Sequence, residues 1–164
     1  MNTLVECRSM QIKMISARDL KDGITNVYAK VSLSKDTSER RFETKPDETG
    51  GNNPKWVTEM SFHVEESKLQ YNKVKLVFEL YEKRCPFICD KKIGKVKIAL
   101  KDLFNKGTDE EFRHDRNLSK RKGIVEFSYR FSPDITAYSL PGPLKRGMKL
   151  VLKATLKIIS GGIC

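Results

Sequence analysis

Apolar side chains recur at every second position along most of this sequence, and that alternation limits the fold more than any other feature. Successive side chains of a β-strand point to opposite faces, so a period of two predicts strands with one buried face. The series cover residues 10–14, 27–33, 56–64, 74–80, 96–100 and 125–131. Two weaker segments, 39–45 and 110–118, are candidate edge strands. The pattern therefore predicts about eight strands within the first 132 residues.

Turn-forming residues separate these series and leave no room for long helices. Gly50, Gly51 and Pro54 stand just before Trp56, the one tryptophan of the chain. Proline cannot donate to a sheet ladder, so Pro54 marks a strand boundary, and the indole beyond it is suited to fill a corner of the core. Residues 101–107 predict a single short helix. Without regular strand–helix alternation, the fold class is all-β, an antiparallel eight-stranded β-sandwich.

The C-terminal part differs from the rest and divides the chain into three expected segments. Residues 1–132 form the sandwich, residues 133–143 a proline-rich linker, and residues 144–164 a short, basic, amphipathic element. Helical spacing places the basic side chains of that element on one side, whereas a strand would line up its leucines. Helix is the favoured interpretation, and strand stays open. The basic residues are Lys145, Arg146, Lys149, Lys153 and Lys157.

Charge indicates the kind of partner. The formal net charge is +11 over 164 residues, which favours an anionic membrane surface or a nucleic acid. Aromatic residues do not interleave with the basic ones as a base-stacking platform requires, so no nucleic-acid partner is predicted. His63 and His114 have no paired nucleophile, and the sequence predicts no enzyme. No apolar run reaches the roughly 20 residues of a membrane span. The N-terminus also has no apolar leader segment, so a cytoplasmic location is expected.

Five segments together resemble a C2 domain. They are NVYAKVSL, GGNNPKW, KLVFELYE, DKKIGKVKIAL and KGIVEFSYRF, in the family's order and spacing. The resemblance covers residues 5–132 and is strongest to small plant C2-domain proteins of the cold-regulated and bonzai-associated, copine-partner type. It implies a non-enzymatic module that docks on membranes or proteins.

The resemblance also implies where calcium would bind in such a domain. Asp22, Glu82 and Asp90 occupy or adjoin the family's ligand positions. Arg84 stands where another ligand carboxylate is expected, and its fixed positive charge repels a cation that needs six to eight oxygens. The expectation is a calcium-independent domain with no cofactor. A weak calcium site at these three acids is the alternative.

Three groups of residues are the candidate lipid contacts. The resemblance places Lys30, Arg41 and Lys45, with Arg40 nearby, where related domains hold phosphoinositide or phosphatidylserine head groups. Phe87 and Ile88 form an apolar loop tip between basic residues, which is typical of membrane insertion; capping of the sandwich is the alternative. The third group is in the C-terminal element: Lys149, Lys153 and Lys157.

The resulting hypothesis is a peripheral membrane adaptor. It binds anionic phospholipids at the cytoplasmic side of the plasma membrane, in plant defence, cell-death or stress signalling. The alternative is an interaction module for a copine-type protein, and calcium-dependent lipid binding is a further one. The sequence carries no indication of oligomeric state.

Overall fold

The structure, a computed structural model, describes residues 3–34 and 41–140. Eight strands and two short helices make up these residues. In chain order they are β1 (Thr3–Arg18), β2 (Val27–Leu33), β3 (Arg41–Glu43), β4 (Lys55–Glu65), α1 (Glu66–Gln70), β5 (Lys75–Glu82), β6 (Lys91–Ala99), α2 (Leu100–Phe104), β7 (Phe112–Asn117) and β8 (Ile124–Leu140). The expected strand set and the short helix near residue 101 are confirmed. Helix α1 was not predicted, because five residues are too few to show helical periodicity.

The described strands form two four-stranded antiparallel sheets. The first has the order β4-β1-β8-β7 and the second the order β3-β2-β5-β6. All pairings between named strands are antiparallel. This arrangement confirms the all-β sandwich class.

The core lies between the inner faces of the two sheets, where the alternating apolar residues meet. In β4 the residues at even positions from Trp56 to Val64 are buried except Thr58, which is half-buried. Phe78 of β5 and Phe127 of β8 bring the two sheets together, with ring centroids 4.8 Å apart. Burial of such rings is the main favourable contribution to folding.

The turn before β4 is held by a carboxylate that the sequence did not single out. Asp47 accepts backbone N–H bonds from Thr49 at 3.0 Å, Gly50 at 3.1 Å and Lys55 at 2.9 Å. Hydrogen bonds from the Lys55 and Thr49 N–H groups lower the pKa of Asp47. A Cβ at Gly50 would collide with this carboxylate, so glycine is required there. Trp56 then enters the core.

The predicted linker is wrong for its first part, because β8 continues through residues 133–140. Its partner is the start of β1, with Ile135 opposite Arg8 and Thr136 opposite Cys7. Pro133 lies at a register shift in this pairing, where a proline removes no regular ladder hydrogen bond. The basic element at 144–164 lies outside the described residues.

Candidate functional site

Three connections meet at one end of the sandwich, which we call the loop end. They are the β1–β2 loop (19–26), the β5–β6 loop (83–90) and the β7–β8 hairpin (118–123). Register places them together, because Arg18 pairs with Ile124 and Val27 pairs with Glu82. The candidate calcium ligands and the apolar tip therefore lie at the same end.

The loop-end carboxylates are used to hold the loops. Glu82 Oε2 accepts the Thr25 N–H at 2.8 Å. Asp90 accepts the Tyr28 hydroxyl at 2.5 Å and the Arg84 N–H at 3.0 Å. Burial favours the neutral acid, but these hydrogen bonds outweigh it and lower the pKa of Asp90.

Those bonds bear directly on the calcium positions. Asp22 accepts a 3.3 Å hydrogen bond from the Asn52 side-chain amide. Among residues 3–34 and 41–140, no three His, Cys, Asp or Glu side chains come together as a metal-binding group. Lys83 Nζ lies 3.8 Å from Asp90 Oδ2 and supplies positive charge there. Asp22, Glu82 and Asp90 are thus placed at one end without converging on a common point.

The apolar tip is exposed. Phe87 keeps 97% and Ile88 55% of its accessible surface. A turn bond from the Ile88 N–H to the Cys85 carbonyl, 2.9 Å long, shapes the loop. This exposure excludes the alternative in which the two side chains cap the sandwich core.

The strand face is the outward side of β2, β3 and β5 around Lys30. Arg41, Glu43 and Lys45 are exposed, whereas Thr44 is buried, so the expected alternation is confirmed. Lys30 lies opposite Glu43 on one side and Glu79 on the other. Arg40 lies outside the described residues, as do Lys149, Lys153 and Lys157.

Aromatic rings complete the strand face. Lys30 Nζ lies 4.7 Å from the centroid of the Tyr81 ring, within cation–π range. Tyr81 stacks on Tyr28 at 5.6 Å between centroids. Burial and the hydrogen bond to Glu79 raise the pKa of Tyr81 to about 12. Lys30 is therefore already held by neighbours of opposite character, which weakens its claim as an independent lipid contact.

A second cationic site was missed at the level of sequence. We call it the lysine groove: a cavity of about 320 Å³ at the loop end whose lining includes six basic side chains. They are Lys21, Lys91, Lys92, Lys120, Arg121 and Lys122. The sequence shows KRK at 120–122, but nothing in it joins that run to Lys21 and Lys91.

The described helices are all too short or too polar to cross a bilayer.

Comparison with known families agrees with this architecture. The profile of the C2 domain family matches residues 8–114. The chain belongs to the C2 domain family. C2 domains are binding modules for membranes, lipids or proteins and are not themselves catalytic units.

Two plant proteins are similar in sequence. The chain is 36% identical over 148 residues to Protein SRC2 homolog of Arabidopsis thaliana, covering 85% of this chain and 45% of that protein. It is 32% identical over 150 residues to Protein SRC2 of Glycine max, covering 85% of this chain and 51% of that protein. The chain thus spans about half the length of these curated relatives.

Solved C2 structures share the fold. The first-named C2 domain (domain A) of plant extended synaptotagmin 1 gives a TM-score of 0.64 at 20% identity, covering 77% of this chain and 95% of that domain. The paired C2 domains of extended synaptotagmin 2 give 0.64 at 17% identity, covering 80% of this chain and 43% of that one. At this identity the likeness establishes the fold alone.

Proposed function

We propose that this domain is a peripheral membrane module that binds anionic phospholipids without requiring calcium. The observation that carries the proposal is the loop tip, where Phe87 is 97% exposed. Lys83 and Arg84 precede the tip and Lys91 follows it, and all three are exposed. Exposed apolar side chains between cations match the composition of an interfacial insertion.

Electrostatics supplies the other part of the binding free energy. Each Lys or Arg near an anionic leaflet contributes about 1 kcal/mol. Loop-end cations act together with the tip, while Arg41 and Lys45 of the strand face provide a second contact. We propose Lys149, Lys153 and Lys157 as further contacts from the C-terminal element. Such binding weakens as salt rises, because exposed charges are screened.

The proposed calcium independence is supported by how the acids are used. Asp90 has both oxygens in hydrogen bonds, to Tyr28 and to the Arg84 backbone. Glu82 is bound to the Thr25 backbone. A calcium ion would have to replace these bonds and tolerate Lys83 close by.

Replacing Phe87→Ser and Ile88→Ser together is expected to reduce affinity for acidic vesicles by about tenfold or more. The reason is that two exposed apolar side chains no longer enter the leaflet. Binding is measured by co-sedimentation with mixed phosphatidylcholine and phosphatidylserine vesicles at low salt.

The matched control is Leu4→Ser with Tyr71→Ser, which removes apolar side chains that are 70% and 75% exposed. Leu4 begins β1 and Tyr71 follows α1, so both lie at the opposite end from the tip. Equal losses in the two double variants would contradict insertion of the tip.

A protein partner is the second candidate function, and one observation favours it. Charges alternate across the strand face, with Lys30 between Glu43 and Glu79, and Glu79 in turn opposite Lys95. Alternating charge fits a complementary protein surface better than a uniformly negative membrane. A copine-type partner, and a role in plant defence, cell death or stress at the cytoplasmic side of the plasma membrane, are proposed by family resemblance. No binding to acidic vesicles with or without calcium would favour this role.

A further inference from the structure

The lysine groove is separate from the strand face and has a different chemistry. We infer that it binds a multiply phosphorylated small anion through several phosphate monoester groups. The ligand is of the kind found on a polyphosphoinositide head group or on a free inositol polyphosphate. For the membrane-borne ligand the inference rests on the proposed function, while for the free ligand it stands alone.

Three distant segments are fixed so that their cations face one cavity. Lys21 follows Leu20, which is fully buried, and Lys91 and Lys92 precede Ile93, which is 8% exposed. The segment carrying residues 120–122 follows Leu118, which is 4% exposed. Backbone position is therefore set by the core.

Hydrogen bonds fix the hairpin at 118–123 further. The Leu118 N–H donates to the Gly123 carbonyl at 2.9 Å, and the Ser119 N–H donates to the Lys95 carbonyl of β6 at 2.9 Å. The hairpin is thus bonded to the other sheet, beside Lys91 and Lys92. The convergence of charge follows from the fold and not from chance side-chain conformations.

The positive charge of the groove is largely uncompensated. Lys92 Nζ pairs with Glu79 Oε2 at 3.0 Å. Within residues 3–34 and 41–140, none of the other five cations has an ion pair with a carboxylate. Neighbouring like charges repel one another, so a multivalent anion relieves a cost already present in the folded domain.

Charge density selects the ligand class. A phosphate monoester carries roughly −1.5 to −2 at neutral pH, so two or three of them match five unpaired cations. The serine head group, with one net negative charge, does not. Ile24 and Ile93 also line the groove and offer an apolar surface to the carbon ring that carries the phosphates. No aromatic side chain lines it among the described residues, so it is not suited to stacking nucleobases.

The test replaces Lys120→Gln, Arg121→Gln and Lys122→Gln together. Three probes are used: vesicles containing phosphatidylinositol bisphosphate, phosphatidylserine vesicles of equal total charge, and soluble inositol hexakisphosphate followed by calorimetry. We expect the triple variant to lose about tenfold or more in affinity for both phosphorylated inositol probes. Phosphatidylserine binding should fall no more than in a charge-matched control.

That control is Lys13→Gln, Lys73→Gln and Lys75→Gln, which removes the same charge outside the groove. Equal losses in the two triple variants would overturn the inference and assign the effect to net charge. The single variant Lys21→Gln, in a different segment, should also weaken both phosphorylated probes selectively. It keeps the test decisive if the triple variant fails to fold.

The three probes separate the possible sources of the phosphates. Groove-dependent binding to bisphosphate vesicles alone supports a lipid head group, and groove-dependent binding to inositol hexakisphosphate alone supports a free ligand. Binding of neither probe overturns the inference, including the case where single-stranded DNA binds instead. Loss of phosphatidylserine binding in the unmodified protein, with groove-dependent inositol hexakisphosphate binding retained, would count against the proposed function only.

Discussion

Replacing Arg8 with methionine should lower the free energy of unfolding by about 3 kcal/mol. Arg8 is a 7% exposed residue of β1. Its Nε and Nη2 donate to the Glu66 carboxylate, both at 3.0 Å. Its Nη1 donates to the Ser132 and Pro133 carbonyls at 2.8 and 2.9 Å. Removing the guanidinium leaves a largely buried carboxylate and two carbonyls without these donors. Urea unfolding followed by tryptophan fluorescence gives the difference.

The same ion pair predicts a pH dependence of known sign. The hydrogen bond from Arg8 lowers the pKa of Glu66 below its ordinary value of 4.5. A lowered folded-state pKa stabilises the protein above the ordinary value, and that stability disappears as pH falls through the lowered one. The difference between wild type and Arg8→Met should therefore be larger at about pH 7 than at about pH 3. A difference independent of pH would contradict the ion-pair explanation.

Replacing Trp56→Ala should destabilise the domain by about 3–5 kcal/mol. The indole is 6% exposed, and its Nε1 donates to the Val27 carbonyl at 3.0 Å. That carbonyl belongs to the first residue of β2, so Trp56 joins β4 of one sheet to β2 of the other. The substitution leaves a cavity at the loop end and removes this bond.

Trp56→Phe is the matched control, because it keeps most of the volume and loses only the N–H donor. We expect it to cost about 1 kcal/mol. Circular dichroism during thermal unfolding reads both variants. Similar melting temperatures for the alanine and phenylalanine variants would show that packing at this position contributes little.

Alternation in the sequence was enough to predict most of the fold. Each strand buries one face, and a one-residue slip would expose its apolar set, so the pattern specifies strand and register together. Its failure at residues 133–140 has a local cause. Pro133 and the later prolines indicate a break, but the register shift beside Arg8 accommodates Pro133, and β8 continues. Only the long-range partner, β1, shows that these residues are a strand.

The candidate site was predicted less completely because it depends on contacts between distant segments. Exposure of Phe87 and Ile88 was one of two alternatives, and the structure decides between them. The glutamates flanking Lys30 become visible only once β2, β3 and β5 are in register. Asp47 is an ordinary loop acid in the sequence, yet its carboxylate organises the turn before Trp56. The lysine groove joins residues about 100 positions apart.

Co-sedimentation with phosphatidylserine vesicles, in chelator and again in calcium, tests calcium-independent docking most directly. We expect binding in chelator, release by added salt, and no gain from calcium. Phosphatidylcholine vesicles are the control and should retain little protein. Binding that appears only with calcium would contradict calcium-independent docking, since Asp22, Glu82 and Asp90 would then have to leave their present partners and hold the ion.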